Sequence, residues 1–424
     1  MHKNTVATSE ITVEITSLAS GGSCVGTIIS PEEKRGKKAF VPYTVPGEVV
    51  VATIIQEKKS FINAGLVSIN NPSPNRTSPA CPVFGQCGGC DLQHITIAAQ
   101  RRYKCEMVAD LLRIHGEIRP PEGVTVLGAD LPAFEYRRRM SFHLNKKAEF
   151  GLYKKNGRQI AQITRCPIST PPINAFLQEN LSLLRGCAPE IETVTVEDHD
   201  GIIHLALEVH PRNDKALDTL LIKSEFRELE LRIPQLQVNY RHKAIYRTQQ
   251  QTGDSPPVGH FSQNNREANR LMLEYILELV KTERVTDLYA GAGNISIPLA
   301  QAGHIVTAVE VDPYLVRFGQ SRAEVAGVAT QLTFVRQSCE KWAESNTGEA
   351  TVVLDPPRGG ALEVCQRLSP QVTPRLTYVS CYPPTFARDA QILNERGYEV
   401  KLVKVLDMFP QTYHSELVAL IEAR

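Results

Sequence analysis

Four polar or reactive residues stand at or just past the ends of short apolar runs in the last third of the chain: Asp287, Glu310, Asp355 and Cys381. Cys381 follows Leu376-Thr-Tyr-Val-Ser and precedes Tyr382 and two prolines, Pro383 and Pro384, which fix the loop. A free thiol is only a few per cent ionised at neutral pH, yet its thiolate is intrinsically very nucleophilic and can split one difficult step into two easier ones through a covalent intermediate. Taken alone, a cysteine in a cytosolic chain reads more readily as a small buried hydrophobe. Asp355 opens Asp355-Pro-Pro-Arg358, where a carboxylate can hydrogen-bond an amide edge such as that of uracil.

Asp287-Leu-Tyr-Ala-Gly291-Ala-Gly293-Asn294 sits between an expected strand and an expected helix, and Glu310 ends the next strand 19 residues after Gly291. Glycines there let the backbone approach a ligand, and an acid at the second strand end can accept from ribose hydroxyls. No third glycine completes the dinucleotide fingerprint, so a nucleoside without pyrophosphate fits better than NAD. S-adenosylmethionine is the cofactor inferred, with Asp287, Tyr289, Gly291, Gly293, Asn294, Glu310 and Asp355 as candidate contacts.

Ten cysteines in a chain expected to be cytosolic are not a disulfide framework. Cys81, Cys87 and Cys90 have the spacing C-x5-C-x2-C, with Cys166-Pro167 downstream as a candidate fourth ligand. Four thiolates suit either zinc or a [4Fe-4S] cluster, and spacing alone leaves both open. The C-x3-C-x2-C run of radical enzymes is missing. His94 reads as a structural hydrogen-bonding residue, and Cys24, Cys105, Cys187, Cys339 and Cys365 as buried structural thiols.

The elements that must position these groups fall into three expected domains within 424 residues. Residues 11–69 alternate apolar and polar types between turn residues, the pattern of a small β-barrel of about five strands, which the family resemblance given below implies is of TRAM/OB type, and 1–70 is its expected extent. A Pro- and Asn-rich linker leads into 71–260, a central α+β domain with the metal cluster. There a helix is expected over 98–115, with Tyr103, Met107, Leu111 and His115 on one face and Gly116 as its stop. In 261–424 strands around 285–289, 305–309, 351–354 and 376–380 alternate with helical segments, the pattern of a doubly wound, Rossmann-like α/β domain, which the resemblance given below implies is the methyltransferase domain. Strands near 400–406 and 416–421 lack a helix between them and read as an antiparallel hairpin at the sheet edge.

Charge is asymmetric. Lys and Arg outnumber Asp and Glu by 22 to 14 through Arg165, and 25 face 32 thereafter. A basic first third points to a polyanion, which the resemblance given below implies is RNA, with Lys34, Arg35, Lys37 and Lys38 in a barrel loop and Arg137, Arg138 and Arg139 as candidate contacts, although solvated surface charge gives the same signal. No run approaches the roughly 20 apolar residues of a membrane span, and the first 20 residues lack the apolar core of a secretory signal. A cytoplasmic, monomeric protein is expected.

The sequence resembles the RNA 5-methyluridine methyltransferases, in their iron-sulfur branch exemplified by the ribosomal RNA enzymes, over nearly its whole length. The resemblance rests on Cys81-Pro-Val-Phe-Gly-Gln-Cys87-Gly-Gly-Cys90, Phe261-Ser-Gln263-Asn-Asn265, Asp287 to Asn294, Asp355-Pro-Pro-Arg358, Ser380-Cys381 with Ala387-Arg-Asp389, and Met408-Phe-Pro410 leading to His414-Ser-Glu416. It implies Cys381 as nucleophile, Glu416 as base, Gln263 and Glu310 as cofactor contacts, Asp355 as a contact to the target uracil, and a [4Fe-4S] cluster on Cys81, Cys87, Cys90 and Cys166. It favours ribosomal over transfer RNA as substrate. The residue after the nucleophile is usually Asn and is Tyr382 here, and Tyr289-Ala290 replaces a usual Phe-Cys. The rival from another class is a noncatalytic RNA-binding or redox-sensing iron-sulfur protein.

Overall fold

A computed structural model describes residues 10–188, 190–211, 213, 215–241, 243–246, 263–345 and 350–424. The chain forms two compact units: Met1–Ser78 with His94–Leu131 and Ala268–Arg424, and Pro79–Gln93 with Pro132–Glu267. In the first unit, β1 (Glu10–Leu18), β2 (Ser23–Ser30), β3 (Lys38–Pro42), β4 (Val49–Glu57) and β5 (Phe61–Asn71) close into the expected barrel in the order β1-β2-β3-β5-β4. Ile11, Val13 and Ile15 of β1 and Val50 and Ala52 of β4 are buried, the period of two that a barrel wall requires. Gly26 has no room for a side chain, since a Cβ there would lie 2.3 Å from the Glu14 carbonyl oxygen. Next come α1 (Ile97–Gly116) and β6 (Val124–Leu127). The helix runs through Gly116, and Glu117 takes the left-handed conformation that ends it.

The second unit is α+β. Its strands are β7 (Arg139–Leu144), β8 (Phe150–Tyr153), β9 (Ile160–Gln162), β10 (Ile191–His199), β11 (Ile202–Val209), β12 (Gln235–Tyr240) and β13 (Lys243–Tyr246). They form one sheet in the order β13-β12-β11-β10-β7-β8-β9. Phe142, Val194, Val196, Leu205 and Leu207 share a core with α2 (Pro171–Gly186), α3 (Ala216–Ile222) and α4 (Ser224–Arg232). The turn containing Cys87 bridges to Lys154, just past β8.

The rest of the first unit comprises α5 (Arg266–Leu279), β14 (Arg284–Leu288), α6 (Ser296–Gln301), β15 (Ile305–Glu310), α7 (Pro313–Val325), β16 (Leu332–Arg336), α8 (Cys339–Ser345), β17 (Thr351–Leu354), α9 (Leu362–Arg367), β18 (Arg375–Ser380), α10 (Pro383–Glu395), β19 (Tyr398–Leu406) and β20 (Glu416–Ala423). The sheet order is β16-β15-β14-β17-β18-β20-β19-β6. Val352 and Leu354 face the core built with α1, α8, α9 and α10, while Val353 faces that of α6 and α7, so buried strands read as continuous apolar runs. The α7 start is capped by Asp312, which accepts from Tyr314 N at 2.7 Å, with Pro313 in the first turn. β19 and β20 are antiparallel as expected, but they are not the edge: β20 lies between β18 and β19, and β6 pairs in parallel with β19 outside them. β6 therefore joins the C-terminal sheet and α1 packs into its core, although sequence placed both in the central segment.

Candidate active site

Strand register builds the site. Leu288 lies beside both Val309 and Leu354, and Leu354 beside Tyr378, so β14, β15, β17 and β18 end at one rim. The strand order reverses at β14 and β17, which is where open α/β sheets leave a crevice for a ligand. β20 runs the other way, so its first residue reaches the same rim, with Leu417 beside Ser380. Tyr289, Glu310, Asp355, Cys381 and Glu416 thus converge from five strands.

The glycine turn is built from below. Tyr289, Gly291 and Gly293 have φ of 64°, 56° and 84°. A Cβ at Gly293 would press to 3.1 Å on Ile297 and Phe334, whereas one at Gly291 meets nothing within 4 Å, so open room lies above that residue. Glu310 accepts from Gly291 N at 3.0 Å and from Asp312 N at 2.8 Å. Asn294 and Asn269 exchange amide bonds at 3.1 Å, and the Tyr289 hydroxyl donates to Glu340 at 3.2 Å. Asp287 departs from its expected place on the rim: fully buried, it accepts from the Ser296 hydroxyl and holds the turn to α6. Burial, with the charge of Asp355 nearby, pushes its carboxyl up to about 7. A positive-φ turn with space above it, flanked by carboxylates, fits a nucleoside ligand that carries positive charge.

Cys381 is partly buried, and burial pushes its thiol up to about 11, helped by Glu416 and Asp355 and opposed by the Arg358 guanidinium. Glu416 is 4% exposed, and burial together with the Asp355 charge holds it well above the usual carboxylate range. Burial raises Asp355 to about 6. Arg358 is a cation beside the thiol to which sequence reading gave no role. Its loop is tied by Asp389, fully buried, which accepts from the Tyr378 hydroxyl and Ala361 N, each at 2.6 Å, and by Thr385, whose hydroxyl donates to the Arg358 carbonyl at 3.1 Å. The Ala387-Arg-Asp389 sequence is thus a brace for that loop. Tyr382 is 38% exposed.

In the second unit Cys81, Cys87, Cys90 and Cys166 line one pocket together with Arg137 and Pro167. Burial raises the Cys90 thiol to about 12, and the other three cysteines add to the effect. Among the described residues no group of three or more His, Cys, Asp or Glu is placed to hold a metal ion. His94, as expected, is buried and bonds the Thr44 carbonyl at 3.0 Å through Nε2, and the other five cysteines are all buried. Arg137 bonds the Arg139 carbonyl, Arg138 bonds the Asp198 carbonyl, and Arg139 pairs with Glu197 at 3.2 Å. The backbone of the arginine run bonds the segment after Gln263, through Arg138 N to the Asn264 carbonyl at 3.0 Å. Gln263 is partly buried in this unit, and Phe261 lies outside the described residues. On the barrel, Lys37 pairs with Glu57 at 3.0 Å, Lys34 with the same carboxylate at 2.8 Å, Arg35 with Glu32 at 3.0 Å, and Lys38 donates to Thr27 at 2.8 Å. Among the described residues no helix is long and apolar enough to cross a membrane.

A sequence model of the tRNA (uracil-5-)-methyltransferase family matches residues 220–424. The chain is 31% identical over 422 residues to the 23S rRNA (uracil(1939)-C(5))-methyltransferase of Shewanella sp. (strain ANA-3), and the match covers 92% of each chain. It is 32% identical over 408 residues to the enzyme of the same name from Vibrio campbellii (strain ATCC BAA-1116), again over 92% of each. The solved tRNA (uracil-54, C5)-methyltransferase of Pyrococcus abyssi, in complex with S-adenosyl-L-homocysteine, is similar with a TM-score of 0.70 at 21% identity over 97% of this chain and 99% of that one, a likeness of fold. Identity of that degree across nine-tenths of both sequences goes beyond a shared fold, and the chain belongs to the RNA uracil-5-methyltransferase family of S-adenosylmethionine-dependent enzymes.

Proposed function

We propose that the protein, a monomer acting in the cytoplasm, methylates carbon 5 of one uridine in 23S ribosomal RNA through a covalent Cys381 adduct. The observation that carries the mechanism is the reversed direction of β20, which brings Glu416 to the rim where Cys381 follows the end of β18. Carbon 5 of uracil is too weak a nucleophile by itself. The Cys381 thiolate adds to carbon 6, and the electrons of the 5,6 double bond pass into an enolate with density on carbon 5. S-adenosylmethionine, when bound, would supply the methyl group that carbon 5 takes, its S–CH3 bond breaking so that the sulfonium leaves as the neutral thioether. Glu416 then accepts the carbon 5 proton, the double bond re-forms, and the sulfur leaves as thiolate. Asp355 holds the amide edge of the base. The target must leave its stack, at a cost of a few kcal/mol that a loop or unpaired position lowers.

The test is mass mapping of 5-methyluridine in ribosomal and transfer RNA from cells with and without the gene. Loss of one 5-methyluridine from 23S RNA is expected. Loss confined to transfer RNA would move the target there, and unchanged maps would overturn the reading.

The second unit is inferred to carry a [4Fe-4S] cluster on Cys81, Cys87, Cys90 and Cys166, which folds that unit around it. All four thiols line one pocket, which supports a shared guest, and the family resemblance favours the cluster over zinc. Protein purified without oxygen is expected to be brown, with about four irons per chain. Stoichiometric zinc without iron would overturn this.

RNA docking is proposed at Lys37 and Lys38 of the barrel and at Arg137, Arg138 and Arg139. The double change Lys37→Ala, Lys38→Ala is expected to weaken binding and to flatten the salt dependence by about one unit of slope for each phosphate left without its cation. An unchanged slope in a binding titration at several salt concentrations would move the RNA site elsewhere.

A further inference from the structure

We propose that one face of α1, formed by Gln100, Arg101 and Lys104, positions the catalytic base by clamping the loop between β19 and β20. The inference rests on the assignment of Glu416 as base. That loop leaves β19 at Asp407 and returns at Glu416, where Glu416 pairs with Leu406 across the hairpin. Lys104 is fully buried, and its ammonium donates to Asp407 at 2.7 Å and to the Phe409 carbonyl at 3.3 Å. Arg101 donates to the same carboxylate at 3.3 Å, and its guanidinium also binds the Ala129 and Leu131 carbonyls. One helical turn away, Gln100 donates to the Gln411 side chain at 2.9 Å and accepts from Gln411 N at 3.1 Å. Gln411 holds a φ of 70°, a left-handed turn in mid-loop.

The clamp is hard to explain as packing. Two buried cations on one buried carboxylate give little net stability, because desolvation consumes the attraction, and apolar side chains of like volume would serve a helix–sheet contact as well. What such groups supply is direction: each bond fixes one atom of the loop, at its first residue, its third and its fifth. Glu416 lies five residues beyond the last of them. A base must stand within hydrogen-bond reach of the proton it takes, and a displacement of about 1 Å in such a group can lower turnover about 100-fold.

The test compares Gln100→Leu and Lys104→Met with Glu416→Gln in the full chain, using target RNA and methyl-labelled S-adenosylmethionine. The readouts are kcat, KM for RNA, melting temperature, and labelled protein–RNA adduct per folded molecule on a denaturing gel. Both clamp variants are expected to lose kcat by about 100-fold with KM within about twofold, and to accumulate methylated adduct as Glu416→Gln does. A merely structural role lowers activity only in proportion to the folded fraction and accumulates no adduct. Folded Gln100→Leu with the adduct level of the unaltered protein would overturn the inference while leaving the base assignment intact. Normal turnover by Glu416→Gln would remove both. Gln100→Leu changes no charge and decides the matter alone if Lys104→Met does not fold.

Discussion

Cys381→Ala is expected to lose methyl transfer by on the order of 10⁶-fold, the scale on which removal of a covalent nucleophile acts, and to lose every covalent protein–RNA species with it. The unaltered thiol carries a pH signature. Burial, Glu416 and Asp355 push it up to about 11, so it is protonated at neutral pH and the thiolate is a minor form. Each unit of pH below that value divides the thiolate by ten, so single-turnover adduct formation should rise about tenfold per unit between about pH 7 and 9. Asp355, at about 6, is already ionised across that window and contributes no step to the profile. Quenched mixtures run on a denaturing gel measure this directly. A flat profile, or an adduct that survives Cys381→Ala, would assign the attack to another residue.

The barrel and the C-terminal sheet were legible because their signals are local: strict alternation between turn residues in 11–69, and unbroken apolar runs alternating with helical stretches after 261. The rim followed, since strand ends in such a sheet have a fixed place. Asp287 shows the limit of that reading. It stands before the end of β14 and points inward, under the turn, and one residue of parity separates a ligand contact from a buried support. β6 carries four residues whose partner strand lies some 280 positions later, and nothing local to Val124–Leu127 announces it. The expected apolar face of α1 was partly wrong for the opposite reason. His115 is exposed, while Lys104 and Gln100 are fully buried, because ion pairing and amide bonds, not hydrophobicity, hold that side of the helix. Those same residues form the clamp, so the pattern failed where polar groups had been buried for position.

Glu416→Gln is expected to attack and methylate its RNA yet be unable to finish. The amide is nearly isosteric with the carboxyl it replaces in a site only 4% exposed, so the fold should hold. An amide cannot accept the carbon 5 proton, and without its loss the sulfur cannot be expelled. Multiple-turnover activity should therefore fall by at least the 10²- to 10⁴-fold typical of a general base, while a Cys381-linked adduct bearing the new methyl group accumulates. The physical reason Glu416 suits the role is the one that raises it: burial and the Asp355 charge make the ionised carboxylate a stronger proton acceptor than an exposed one. The same fact gives a second readout. Because the folded-state value lies above the unfolded one, the protonated carboxyl's contribution is fully present at low pH and is lost as pH rises through the folded value. Glutamine stays neutral throughout, so the melting temperature of the variant should fall less than that of the unaltered protein as pH is raised. Were Glu416 a surface ion pair, worth roughly 0 to 1 kcal/mol, neither the adduct nor the pH-dependent melting would change, and normal turnover by Glu416→Gln would transfer the proton to a different group.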